Sequence, residues 1–144
     1  MQSRRRLRIY LAAVGAALLG QGSLSLLLDE GLNVNLAPLH GLLTTDDRHA
    51  GLHVVWGLVL LAFAALAVHP PVLIGLGCAF GAFYTALGVI GLFDKAAFGL
   101  HLGWGENAFH LLVGPLALIL ARLAALEEER ARTPSPRPGE LRPG

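Results

Sequence analysis

Residues 72–93 read VLIGLGCAFGAFYTALGVIGLF, from Val72 to Phe93, without one charged side chain. A helix needs about 20 such residues to cross hydrocarbon of about 30 Å. The run is apolar throughout and shows no alternation, so it predicts a membrane helix and not a barrel strand. Working outward, the charged residues cluster and leave three further gaps of the same kind. They cover about residues 7–28, interrupted by Arg8; about 50–68; and about 107–126, with Arg122 near the end. The connection His69-Pro70-Pro71 is so short that helices two and three are expected to form a tight hairpin. The longest connection, about residues 29–48, contains Asn33, Asn35, Pro38 and His40.

Composition excludes most alternatives. Of 144 residues, 54% are hydrophobic and 15% charged, whereas soluble domains carry about 25% charged residues. Too few polar side chains exist to cover a soluble surface. One cysteine, Cys78, excludes a disulfide scaffold and is expected to pack in helix three. A net charge of +1 implies no nucleic-acid partner. The partner is the lipid bilayer, with a second copy or another membrane protein left open.

Arginine and lysine set the orientation. Arg4, Arg5, Arg6 and Arg8 precede or open helix one, and Arg122, Arg130, Arg132, Arg137 and Arg142 end or follow helix four. Only Arg48 and Lys95 fall in the connections at the opposite side. The positive-inside rule places both termini in the cytoplasm. Ser3-Arg4-Arg5-Arg6-Leu7 is similar to a twin-arginine signal, but the apolar run that follows exceeds a typical signal core and has no A-x-A site. A retained first helix is expected. The predicted fold is therefore an all-α, four-helix transmembrane bundle of two tandem helical hairpins, N-in and C-in. Residues 1–6 form a basic cytoplasmic start, 7–126 the membrane domain, and 127–144 a solvated helical end with a disordered Pro-rich tail.

Against this background one repeat stands out. Helix two contains His49, His53 and Gly57, and helix four contains Glu106, His110 and Gly114. Both carry H-x-x-x-G, with a second potential ligand four residues before the histidine. Spacing of four places these residues on one helical face. Three readings of His49, His53, Glu106, Asn107 and His110 stand open. They form polar contacts that glue the bundle. Or His49, His53, Glu106 and His110 hold a transition metal, with haem between His53 and His110 as a variant. Or His53, His110, Glu106 and Asp46 or Asp47 relay protons or ions; against this, helices one and three offer few polar groups beyond Gln21, Ser23, Ser25, Tyr84 and Thr85. No catalytic constellation emerges, and the residues lean away from an enzyme. Gly57, Gly77, Gly81, Gly88, Gly91 and Gly114 read as helix-packing positions, those of helix three including a dimer contact. Asp46, Thr45 and Asn107 suit helix N-caps. Trp56 and Trp104 suit membrane anchors.

His49-Ala50-Gly51-Leu52-His53 with Gly57, Tyr84 with Gly88 and Gly91, and Glu106-Asn107-Ala108-Phe109-His110 with Gly114 resemble a bacterial domain-of-unknown-function family of small four-helix membrane proteins. Its pattern is H-N-x-x-H-x-x-x-G in helix two, a Tyr followed by L-G-x-x-G in helix three, and D-N-x-x-H-x-x-x-G in helix four. The chain departs at Ala50 and at Glu106, so its two halves do not carry identical polar sites. The resemblance implies a multi-pass protein of the bacterial cytoplasmic membrane and assigns no activity or cofactor.

Overall fold

The computed structural model describes residues 1–29, 46–66 and 68–133. Asn33, Asn35, Pro38, His40 and Thr45, and the tail beyond Thr133, lie outside the described residues. The helices are α1 (Gln2–Asp29), α2 (Asp47–Ala65), α3 (Pro70–Phe93) and α4 (Trp104–Arg132), with a single 3-10 turn at Ala97–Gly99 between the last two. All four helices are long and apolar enough to span a membrane. The architecture is an all-α four-helix bundle.

Pairing in the bundle follows the glycines. α1 packs along α2, α3 packs along α4, and α1 also lies on α4. α2 and α3 make little backbone contact despite their short connection, which corrects the expected tight hairpin. The two prolines open α3 and do not form a loop; proline suits a first helical turn, where its missing N–H costs no bond. What holds α1 to α2 is backbone approach. A Cβ at Gly57 would lie 2.6 Å from the Leu19 nitrogen and 2.8 Å from the Gly15 oxygen. One at Gly22 would lie 2.6 Å from the Ala50 oxygen and 3.0 Å from the His53 Cβ.

The second half repeats the arrangement. A Cβ at Gly114 would lie 2.5 Å from the Thr85 nitrogen and 2.9 Å from the Gly81 oxygen, and one at Gly88 would lie 3.0 Å from the His110 Cβ. Gly15 and Gly22 thus play in α1 the part that Gly81 and Gly88 play in α3. The repeat visible in α2 and α4 has a companion in α1 and α3. Gly77 faces Leu7 and Ala121, and Gly91 meets Asn107. The glycine face of α3 is therefore consumed inside the chain, and the expected dimer contact through it is not what it serves.

Between the two helix pairs lies one apolar core. Leu7, Leu11, Val14 and Leu18 of α1 meet Leu73, Phe80 and Tyr84 of α3 and Val113, Ala117, Ala121 and Ala124 of α4. Trp56 packs against Phe80, ring centroids 5.4 Å apart, so it belongs to this core and is no surface anchor. Trp104 is exposed, with the Lys95 ammonium 5.9 Å from its ring. Cys78 is exposed on the bundle surface and not packed. At the end of the bundle that carries Gln2, the Glu127 carboxylate accepts from the Gln2 and Ser3 backbone N–H groups, both at 2.9 Å, and Arg4 pairs with Glu128 at 3.3 Å. An anion at a helix N-terminus satisfies orphan donors and the dipole. The acidic run at the end of α4 is thus a latch on α1, where the sequence suggested only a solvated end.

Gly114→Ala is expected to destabilise the bundle by about 1–3 kcal/mol, because backbone atoms of α3 block the new methyl. Gly75→Ala, with nothing within 4 Å of its Cβ, is expected to cause no loss. Thermal unfolding of both variants in one detergent decides it, and equal melting would refute the close-approach account.

Candidate functional site

At the end of the bundle opposite the Glu127 latch, Asp46 joins two segments. It caps α2, its Oδ1 accepting from the His49 N–H at 2.9 Å. Its Oδ2 accepts from the His101 N–H at 2.5 Å. Partial burial works against the Asp46 carboxylate, but the N–H groups of His101 and His49 outweigh it and hold its pKa below the ordinary value. Its contribution to stability is therefore complete above the ordinary carboxylate pKa. It is lost as the pH falls through the lowered one. The connection from α3 bends back here through Phe98 and Gly99, which have left-handed φ of 60° and 70°, and presents the His101 carbonyl to α2.

Three histidines converge beneath this clamp. His49 and His53 lie one turn apart on α2, and His110 enters from α4; they are 0%, 2% and 0% exposed. The ring centroids of His49 lie 4.6 Å from His53 and 5.3 Å from His110, and those of His53 and His110 lie 6.2 Å apart. One ligand nitrogen from each falls within 4.8 Å of the others. Gly22 and Gly88 make this possible, since each gives room to the Cβ of one histidine.

Hydrogen bonds define which nitrogens are free. His49 Nδ1 donates to the His101 carbonyl at 3.0 Å, and His53 Nδ1 donates to the Gln21 side-chain oxygen at 2.5 Å. Both acceptors are oxygens without hydrogen, so both Nδ1 atoms carry the proton and both Nε2 atoms present a lone pair. Among the described residues neither Nε2 has a partner, nor does either nitrogen of His110 or the buried hydroxyl of Tyr84. The Tyr84 ring sits 5.1 Å from His110 and 6.2 Å from His53. Each unsatisfied buried polar group costs about 1–3 kcal/mol, so five in one place form a costly concentration.

The other expected residues are placed differently. Glu106 is outside the three-histidine group. It is half-buried in the first turn of α4, with its Oε2 close to Gly103. Asn107 is buried and is no N-cap; Gly103 caps α4. The Asn107 Nδ2 donates to the Gly91 carbonyl at 2.8 Å and the Leu102 carbonyl at 3.1 Å, which ties α3, the connection and α4 together. Haem between His53 and His110 conflicts with His49, whose ring lies against both and takes the space a porphyrin plane would need. A relay across the bundle also lacks a path among the described residues. Beyond Tyr84 the core is Leu, Val, Phe and Ala, with the Tyr10 hydroxyl committed to the Val113 carbonyl at 2.6 Å.

Two partners of the site escaped the sequence reading. Gln21 was visible only as a polar residue in an apolar run, although its place beside Gly22 was a usable signal. The His101 carbonyl is backbone and leaves no trace in side-chain pattern. Comparison with family models, curated proteins and solved structures finds no match to this chain.

Asp46→Ala is expected to lower stability by about 1 kcal/mol, the usual cost of a lost N-cap. Hydrogen exchange should rise in the α2 start and the segment around His101 together. Faster exchange in α2 alone would show that the clamp to His101 contributes nothing.

Proposed function

We propose that the chain is a multi-pass protein of the bacterial cytoplasmic membrane, both termini cytoplasmic, that binds one transition-metal ion at His49, His53 and His110. The observation that carries the reading is the pair of Nε2 lone pairs on His49 and His53 with their Nδ1 protons already held by oxygen acceptors. Metal-binding histidines are oriented in this way by second partners, and such partners affect affinity 10–100-fold. Imidazole suits zinc, copper, iron and nickel. Metal–nitrogen bonds run at about 2.0–2.1 Å, so the three rings, with one ligand nitrogen each within 4.8 Å of the others, draw closer together to grip an ion. Three protein ligands leave a coordination position open for water or an exogenous ligand. The charge asymmetry between bundle ends supports the orientation.

Elemental analysis of the purified protein, with titration by zinc, copper(II) and nickel, tests the site. One equivalent is expected to bind to the wild type and none to the variant with His49, His53 and His110 all changed to Ala. Gln21→Leu is expected to bind 10–100-fold more weakly. Identical titrations of wild type and triple variant would overturn the assignment. A fusion reporter at the C-terminus tests the orientation independently.

A further inference from the structure

A second site lies at the opposite end of the bundle. A cleft of about 410 Å³ opens between the start of α1 and the α2–α3 connection, lined by Met1, Arg4, Arg5, Arg8 and Val68. Arg4 and Arg8 are four residues apart and Arg5 and Arg8 three, so the guanidinium groups share one face of α1. Arg4 is partly neutralised by Glu128. Among the described residues Arg5 and Arg8 have no carboxylate partner, because Glu127 is taken by the α1 backbone and Glu129 pairs with Arg122. The cleft therefore holds uncompensated positive charge in a concave setting, with donors in the fork geometry that fits phosphate.

We propose that this cleft binds the headgroup of an anionic phospholipid. Its position decides between a lipid and a free phosphate ion. Ile9, one turn beyond Arg5, is 56% exposed. Ala13 and Ala16 continue that exposed face along α1. An acyl chain can lie on this apolar strip while its phosphate engages Arg5 and Arg8, and Val68 closes the far wall. A free anion would gain nothing from the strip. Basic pockets beside membrane helices recognise acidic headgroups through this combination of charge and adjoining hydrocarbon. The inference does not depend on the metal reading, since the two sites occupy opposite ends of the bundle.

The test uses the full chain in neutral detergent, titrated with phosphatidylglycerol, phosphatidylcholine or inorganic phosphate and read by native mass spectrometry. One phosphatidylglycerol per chain is expected to be retained, with phosphatidylcholine and phosphate not retained. Arg5→Gln with Arg8→Gln is expected to weaken retention roughly 25-fold, about fivefold per arginine. Arg130→Gln with Arg132→Gln, at the same end but outside the cleft, is expected to change it less than twofold. Equal loss in both double variants would reduce the effect to general charge and overturn the site. Retention of phosphate as strong as that of the lipid would overturn the lipid assignment. Should the double variant not fold, Arg5→Gln and Arg8→Gln are read singly, and no loss in either overturns the proposal.

Discussion

Backbone-to-backbone approach at four glycines is the constraint on which the bundle rests. Gly15 with Gly57, and Gly81 with Gly114, bring main chains so close that a methyl group at any one of them would collide or press on its neighbour. In a bilayer the hydrophobic effect does not drive helices together, so close approach and interhelical dispersion must do so. These crossings fix the register of each pair. Once Gly57 is seated against Leu19 and Gly15, one turn back along α2 places His53 against Gly22. The same step on α4 places His110 against Gly88. The histidines are thus positioned by contacts that do not involve their own polar atoms. They meet although α2 and α4 make little backbone contact, because α1 lies on α4 and joins the two pairs.

The two halves follow one plan and diverge where the site is. Leu18 in α1 matches Tyr84 in α3, and Gln21 matches Leu87. His49 in α2 matches Glu106 in α4, and Ala50 matches Asn107. Each exchange moves a polar group from a symmetric place to a single place. Asn107 needs Gly91 opposite it, since a Cβ there would overlap the amide. The corresponding positions in the first half are Ala50 and Ser25, a small pair in which the bulk is distributed differently. The result is three histidines with one glutamine and one tyrosine, a set that a strictly two-fold bundle could not produce.

The helices were legible because charge is scarce: wherever Arg, Lys, Asp and Glu are missing for about 20 residues, a span follows. His49 and His53 were legible as a pair because spacing of four needs only helical geometry. Neighbour choice was not. The three-residue connection suggested that α2 packs on α3, but a short connection limits only the distance between helix ends, and glycine placement decides which faces close. Glu106 matched the ligand spacing and still lies outside the group. It occupies the first turn of α4, where a carboxylate gains from the helix N-terminus and a half-exposed position keeps its charge hydrated. Glu127 looked like solvent-facing charge, and only the fold shows that the start of α1 lies beside it.

A purely structural role for the histidines accounts poorly for their arrangement. Interhelical polar contacts in membranes average about 0.6 kcal/mol, while each unsatisfied buried group costs about 1–3 kcal/mol. Among the described residues His49 and His53 each make one side-chain hydrogen bond and leave one nitrogen without a partner; His110 makes none. By these magnitudes the cluster as it stands weakens the bundle. An apolar residue of similar volume at position 110 would lose no hydrogen bond among the described residues and would remove two of the five unsatisfied groups. The Nδ1 bonds to His101 and Gln21 do not lessen the penalty at Nε2. They fix the tautomer and leave a buried lone pair on each Nε2, which matters only if something accepts it. A cation shared by the three rings would satisfy His49, His53 and one nitrogen of His110 at once. It would turn the most expensive part of the bundle into one of its firmest contacts.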